Sequence, residues 1–431
     1  MPPAPSPLAI GHGDPPGGPG IAPWQDADRL RPGMMAMLLM LLPLFGQTFH
    51  YMKDLLPLWA LSKAFPVLSL PLALVLLRRP RLPMARQIMA TFLWLVLVPS
   101  FAASFTFGQD FFTGITAQVK LLPMLYFFSF SGLLMIARPS LRELAAGFLI
   151  CGIATYAALI ILWAIIPDAW YSKVYAFGSS PLFSADNRGN RIRMPMFFGI
   201  ITLFYCYRRF LGSGSLRWLA GAAAGLCLTL FVVKTRAMVV GIAGVVVINS
   251  FAAAGALVRV GLLFVAPAAL VGLFSIGYLN TMFSSDSSTG FDVRWKTVTK
   301  AVGFLGTDPF KWLMGVGTIS PTSSDSLFSY FDHFFFLADI TWLGIVFEFG
   351  LIGAILLVLY EIRGLLLFRR IREATGHSPF LGSLCDYLLY VLLISNLYPP
   401  TLTPGETAII AAIFVFVLQN LPTSVLPDRE S

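Results

Sequence analysis

The residues best suited to chemistry are conspicuous because the rest of the chain is so apolar. In the stretch SYFDHFFFLADITWLG (329–344), Asp332 and His333 lie beside three phenylalanines, directly before an apolar run. An imidazole titrates near neutral pH and can take a proton from an attacking hydroxyl, and a carboxylate can orient the ring. We therefore predict His333 as a general base and Asp332 as its partner. The alternative is a structural histidine packed among the neighbouring phenylalanines.

A second set of candidates consists of basic residues at the ends of apolar segments. They are Arg188, Arg191 and Arg193 in SADNRGNRIRMP (184–195), Lys234 and Arg236 in VVKTRAMVVG (232–241), and Arg294 in GFDVRWKTVTKAV (290–302). A guanidinium group presents a planar fork of donors that matches phosphate oxygens. Several of these groups on one face would hold a diphosphate, both in a bound substrate and as a leaving group. Any one of them alone could instead be solvated, contact lipid headgroups or snorkel to the membrane interface.

Together, the histidine and the cations predict one kind of reaction. Glycosyl transfer from a lipid-linked diphosphate requires a clamp on the anionic leaving group and a base for the acceptor hydroxyl. Both parts are present in the sequence, but they are far apart along it. The elements between them must therefore bring them to the same side of a membrane.

Those elements are predicted to be membrane-spanning helices. Of the 431 residues, 57% are hydrophobic and only 12% are charged, and the mean hydropathy is +0.78. A soluble domain carries about 25% charged residues, so this chain must use lipid as its solvent. Since about 20 apolar residues cross the hydrocarbon, we predict an all-α polytopic protein with about twelve spans. They lie at roughly 34–50, 55–77, 87–107, 121–137, 144–166, 194–211, 216–233, 237–254, 260–280, 341–360, 380–397 and 407–421.

The short connections between spans predict the orientation. Arginines concentrate in 78–86, 137–142, 207–217 and 361–372, and Arg259 marks a further connection. Cytoplasmic loops collect such residues, so both termini are expected in the cytoplasm. The long segments 167–193 and 281–340 are then exoplasmic, the larger one before the tenth helix. Residues 34–421 form a single transmembrane domain, flanked by a disordered cytoplasmic tail (1–33) and a short cytoplasmic tail (422–431).

Composition also argues against other classes. The net charge of +9 is explained by cytoplasmic loops, so no nucleic-acid partner is predicted. The four cysteines fall inside apolar spans without CxxC spacing, which predicts neither disulfides nor a metal site. A transporter would place ionisable residues within its helices, and Glu348 is the main candidate for such a residue. A scaffold without catalysis would make the exoplasmic arginines individually dispensable.

The order of several short motifs resembles one family. Thr235-Arg236-Ala237 opens a span where the O-antigen ligase and polymerase superfamily commonly has Ser-Arg-Gly. The Arg294-Trp295 pair, a helix, the Gly-x-Gly of LMGVGTIS (Gly315 and Gly317), a histidine and the Gly-rich span TWLGIVFEFGLIGAILL then follow in the family's order. The resemblance covers roughly residues 190–360. The family often has Asn after the histidine, where this chain has Phe334, and that departure favours a polymerase over a ligase.

The resemblance implies a helical glycosyltransferase of the GT-C type that uses no metal or other cofactor. Its substrate would be an undecaprenyl-diphosphate-linked glycan at the outer face of the bacterial inner membrane. By the resemblance, Arg236 and Arg294 are diphosphate ligands and His333 is the base. The leading hypothesis is a polysaccharide polymerase for an O-antigen, capsule or exopolysaccharide, with a flippase and a chain-length regulator as partner proteins. The alternatives are an O-antigen ligase that transfers glycan to lipid A-core, and a transporter or flippase for the lipid-linked glycan.

Overall fold

The computed structural model describes most of the apolar part of the chain. The described residues are 29–50, 52–53, 55–78, 82–173, 182–186, 189–253, 291–320, 330–331, 335, 337–394 and 404–421. Within them, the fold is helical apart from one small sheet, which agrees with the predicted all-α class. The predicted tails lie almost wholly outside these ranges. The first helix begins at Pro32, slightly before the predicted start of the membrane domain.

Helices occupy eleven of the twelve predicted span segments, and the remaining segment, 260–280, lies outside the described residues. The α-helices are α1 Pro32–Phe45, α2 Leu56–Leu68, α3 Ala85–Phe107, α4 Phe111–Ala117, α5 Tyr126–Ala137, α6 Leu141–Ile165, α7 Phe197–Ser213, α8 Leu216–Leu228, α9 Arg236–Ala253, α10 Phe291–Leu305, α11 Pro309–Met314, α12 Thr341–Thr375, α13 Pro379–Ile394 and α14 Pro404–Gln419. Tighter 3₁₀ segments occur at Leu70–Arg78, Gln118–Leu125, Asp168–Trp170 and Leu337–Ile340, and a π-helical turn occurs at Thr229–Val233.

Six helical segments in the described part of the chain are long and apolar enough to cross a membrane. They are Leu56–Leu77, Ala85–Phe107, Phe111–Ala137, Leu141–Ile165, Leu216–Val233 and Thr341–Thr375. Four further apolar helices are shorter, at Pro32–Phe45, Ala237–Ala253, Pro379–Ile394 and Pro404–Gln419. The number of helices that cross the membrane therefore stays a prediction, while the class of helical membrane protein is supported.

The core is built around α14. Nearly every residue from Pro404 to Val417 is buried, because this helix is apolar on all sides and is enclosed by its neighbours. Gly405 allows the closest approach, since a methyl group there would lie 2.8 Å from atoms of Pro123 and Tyr126. The main apolar cluster continues from α14 into α1, α5, α6, α7 and α13. The described part of segment 167–193 packs against this cluster, whereas the described part of segment 281–340 packs against α12 and α3.

The predicted exoplasmic segment 167–193 contains the only strands among the described residues. They are β1 Ser172–Lys173, β2 Phe183–Asp186 and β3 Gly189–Ile192. β1 pairs with β2 in parallel, and β2 pairs with β3 antiparallel, with Ser184 opposite Arg191. β3 packs against the π-helical turn at Thr229–Val233. This contact brings the first long segment to the turn before α9.

Candidate functional site

Two of the predicted arginines lie at the end of β3, Arg191 within the strand and Arg193 directly after it. Side chains alternate along a strand, so Arg191 and Arg193 share a face and Ile192, which is fully buried, occupies the other. The Nε atoms of both arginines donate to the same acceptor, Ser184 Oγ, each at 3.1 Å. Ser184 is itself fully buried on the neighbouring strand β2. A single hydroxyl therefore aligns two guanidinium groups side by side.

Lys234 reaches this face from the turn before α9. Its backbone is left-handed, with φ 55°, and its N–H donates to Thr229 O at 3.0 Å, which closes the π-helical turn. A methyl group added to Gly189 would lie 3.3 Å from Lys234 Nζ. Because Gly189 lies two residues before Arg191 in β3, the ammonium lies beside the strand that leads to the two arginines. We call these three side chains the cationic face of β3.

Arg294 belongs to a different part of the structure. It lies in the first turn of α10, where Thr297, Ala301 and Leu305 are buried and Trp295 is 60% exposed. The described packing of this helix is with Leu337–Ile340 and α12, rather than with β3. Three of the predicted cations, Arg191, Arg193 and Lys234, thus lie around β3, while Arg294 lies elsewhere, on α10.

The remaining predicted site residues lie outside what the structure describes. Asp332, His333 and Arg188 fall in undescribed positions, and Arg236 has its backbone at the start of α9 but no described side chain. The chain on both sides of His333 is anchored, because the rings of Phe331 and Phe335 stack 4.0 Å apart and both pack against Phe347. The role of His333 as base stays a prediction.

The Gly-x-Gly motif has a clear structural reason. Val316 N donates to Phe347 O at 2.8 Å, and Gly317 N donates to Glu348 O at 3.1 Å. A methyl group at Gly315 would lie 2.5 Å from Glu348 O, so only glycine allows this approach. The segment therefore docks on the N-terminal part of α12 by backbone hydrogen bonds.

The docking point coincides with a break in α12. Gly350 has φ 72° and ψ 173°, a conformation essentially restricted to glycine. The same segment is held from the other side by Gln109, whose amide bonds to Thr318 O at 3.2 Å and to Ser320 N at 2.8 Å. Irregular backbone at membrane depth is tolerated where protein buries it, as it does here.

Several ionisable residues inside the bundle have partners that the sequence did not reveal. Glu348 was identified as a charge within a span, and the structure pairs it with Lys120, with Nζ to Oε2 at 2.7 Å. The signal available for Lys120 was its isolation as the one basic residue in the apolar segment 111–137. Buried charges in helices of this kind are expected to be paired, because an unpaired ion in lipid is costly.

Arg208, one of the arginines of the predicted connection 207–217, lies within α7 and pairs with a buried carboxylate. Its Nε donates to Asp386 Oδ2 at 2.7 Å and its Nη2 to Asp386 Oδ1 at 2.5 Å. Asn249 completes the cluster, since it accepts from Arg208 Nη2 at 3.0 Å and donates to Asp386 Oδ1 at 2.8 Å. Asp386 is 1% exposed, so its charge must be compensated inside the bundle, and Arg208 is the side chain that does so.

A third buried pair lies deeper in the core. Tyr387 donates a short hydrogen bond to the carboxylate of Glu406, a residue that is only 3% exposed. Among the described residues, no group of three or more His, Cys, Asp or Glu side chains could hold a metal ion. The ionisable groups inside the bundle are therefore arranged as pairs and small hydrogen-bonded clusters.

Comparison with models of known protein families gives no match, and comparison with curated proteins gives none either. The resemblance carried by the short motifs therefore stays a hypothesis. Two structural features bear most directly on function. They are the cationic face of β3 and the broken helix α12 with its ion pair.

Proposed function

We propose that this protein is a membrane glycosyltransferase of the polysaccharide-polymerase type. It would join undecaprenyl-diphosphate-linked repeat units at the outer face of the bacterial inner membrane, with a GT-C-like fold and without a metal. The observation that carries the proposal is the cationic face of β3, where Arg191 and Arg193 share Ser184 and Lys234 lies beside Gly189. A flippase and a chain-length regulator are its expected partner proteins.

The chemistry of the cationic face suits a diphosphate. Ser184 fixes both Nε atoms, so the guanidinium planes are oriented before any ligand arrives. Guanidinium groups bind phosphate oxygens through paired donors, and an ammonium adds a compact positive charge. An oriented set of donors loses less entropy on binding than three independent surface chains would lose.

In the proposed reaction, the acceptor hydroxyl attacks the anomeric carbon of the donor glycan. A new C–O bond forms as the bond from that carbon to the diphosphate oxygen breaks, and the electron pair leaves with the diphosphate. The cations stabilise the charge that develops on this leaving group. His333 would take the hydroxyl proton, which balances the step.

The test is glycan length in a deletion strain that carries variants of the chain. Arg191→Gln/Arg193→Gln removes two charge-assisted contacts, each worth about 1.5–3 kcal/mol, so we expect single repeat units in place of long chains. Arg217→Gln serves as the control for loss of one arginine at the opposite end of the bundle, where the guanidinium carbon of Arg217 lies 5.6 Å from the centre of the Trp218 ring. Long chains from the double variant, at normal membrane protein level, would refute the proposal.

The same assay separates the polymerase from the ligase. Loss of a polymerase leaves single repeat units, whereas loss of a ligase leaves long chains that remain on the lipid carrier. Ser184→Ala offers a graded variant, because it keeps both charges and removes only the shared acceptor. We expect it to shorten chains less than the double arginine variant does.

A transporter for the lipid-linked glycan is the second candidate, and the break in α12 favours it. Discontinuous helices with an ionisable residue at the break are a feature of many transporters, and Glu348 with Lys120 lies two residues from Gly350. The two candidates differ in where lipid-linked units accumulate after deletion. Units that an added glycosidase can cleave in spheroplasts indicate a lost polymerase, and protected units indicate a lost transporter.

The orientation proposed here can be tested by thiol labelling. It places both termini in the cytoplasm. Arg31, directly before the first helix, donates to Glu143 and to the carbonyl of Arg138, and these bonds support the orientation because they hold the start of that helix beside an arginine-rich connection. In a cysteine-free background, cysteines at Ser287 and Ser323 should react with an impermeant reagent in spheroplasts. A cysteine at Ser378 should not react, and the reverse pattern would overturn the orientation.

A further inference from the structure

A second basic site lies at the end of the bundle that carries the arginine-rich connections. It is a cleft of about 360 Å³ between α6, α7 and the start of α13. Its lining combines basic, hydroxyl and apolar side chains, among them Arg142, Arg209, Thr375, Ser378 and Phe380. None of these residues belongs to the cationic face of β3 or to the predicted exoplasmic segments.

The cleft carries basic side chains. Arg142 and Arg209 line it, and the guanidinium carbon of Arg209 lies 5.1 Å from the centre of the Trp218 ring, which restricts its position. The nearest acidic residue in sequence, Glu143, turns to the other side of α6, where it accepts from Arg31 Nε at 2.8 Å and from Ser140 N at 2.8 Å. The cleft therefore brings two guanidinium groups together in its lining.

The position of the cleft along the helices and the chemistry of its lining suit a lipid headgroup. Leu141 is the first residue of a helix of membrane-spanning length, and Pro379 is the first residue of α13, so the cleft lies where helices leave the apolar layer. Leu141, Ala145 and Phe380 give it an apolar wall beside the two arginines. Basic clefts between membrane helices on the cytoplasmic side recognise the phosphates of anionic lipids.

We propose that this cleft binds the phosphate of an anionic phospholipid. The two guanidinium groups hold the phosphodiester, the hydroxyl groups of Thr375 and Ser378 line the site beside them, and the apolar wall faces the acyl chains. A free phosphate would share the charge recognition, but it would make no use of the wall. The site lies at the other end of the bundle from the cationic face, so it does not depend on the glycosyltransferase proposal.

The direct test is native mass spectrometry of the full-length protein in detergent, titrated with cardiolipin, phosphatidylglycerol or phosphatidylcholine. We expect the two anionic lipids to bind at least tenfold more tightly than phosphatidylcholine. Arg142→Gln/Arg209→Gln should weaken that binding about 10–100-fold, the range for lost charge-assisted contacts. Arg217→Gln is the matched control, because it removes a cation near the same Trp218 ring without lining the cleft, and its lipid binding should match that of wild type.

Ser378→Asp is a second variant that should preserve the fold. Ser378 Oγ accepts from Leu381 N at 3.4 Å at the start of α13, and aspartate is an equally good capping residue. The added negative charge should repel the lipid phosphate and weaken binding at least tenfold, with an unchanged unfolding midpoint. Equal binding of all three lipids, or full retention of binding in both variants, would overturn the proposal. Displacement of the lipid by inorganic phosphate at equal concentration would assign the site to free phosphate and would also overturn it.

Discussion

Gly350 offers the sharpest test of how α12 positions the predicted exoplasmic segment. Its φ of 72° and ψ of 173° are accessible to glycine but not to residues with a Cβ atom. In Gly350→Ala the added methyl group would lie 2.1 Å from Leu313 O, and this contact is with backbone, which cannot rotate away. The segment that contains the Gly-x-Gly motif would have to move off the helix.

The expected cost follows from two terms. Forcing a residue with a Cβ into this region costs about 1–3 kcal/mol. The displaced segment would also lose the bonds from Val316 N to Phe347 O and from Gly317 N to Glu348 O, each worth about 1 kcal/mol net. We therefore expect Gly350→Ala to lower the free energy of unfolding by about 3–5 kcal/mol.

The assay is equilibrium unfolding of the purified protein in mixed micelles, with Gly303→Ala as the matched control. Gly303 lies inside α10, and a methyl group there meets no atom within 4 Å. Alanine is favoured over glycine in a helix by about 1 kcal/mol, so the control should be neutral or slightly stabilised. If Gly350→Ala unfolds at the same midpoint as Gly303→Ala, the break in α12 does not hold the segment, and the reasoning is refuted.

Three further perturbations test the buried charges and one histidine. Arg208→Met should lower the free energy of unfolding by about 3–5 kcal/mol, because it leaves the buried carboxylate of Asp386 without its partner. The double variant Arg208→Met/Asp386→Leu should regain most of that stability. Equal losses for the two variants in unfolding assays would contradict the pairing. Lys120→Met should destabilise the protein more than Glu348→Gln does, because it removes the described counter-ion of the Glu348 carboxylate, whose side chain is 6% exposed. The same unfolding assay compares the two variants. Burial, with neighbouring lysines, lowers the pKa of His50 from 6.5 to about 4, so the unfolded state binds the extra proton. Stability should then fall by about 3 kcal/mol as the pH drops from about 6.5 to about 4, and His50→Gln should remove that dependence.

The sequence alone determined the class of the protein and most helix boundaries. The predicted span at 87–107 corresponds to a helix at Ala85–Phe107, and the one at 144–166 to a helix at Leu141–Ile165. Such predictions succeed because the length and apolarity of a run are local properties that sum along the chain. The sequence also identified Arg191, Arg193 and Lys234 as candidate ligands of a diphosphate, but it did not show how they are arranged in space.

Which of these residues come together follows from the packing of the helices and strands. The shared bond of Arg191 and Arg193 to Ser184 and the close approach of Lys234 to Gly189 gather three cations around β3, and neither contact follows from sequence spacing. The pair of Arg208 with Asp386 joins residues 178 positions apart, and the pair of Lys120 with Glu348 joins residues 228 apart. An ion in a span must find a counter-ion in whichever helix packs beside it, so its partner is fixed by packing rather than by any pattern along the chain.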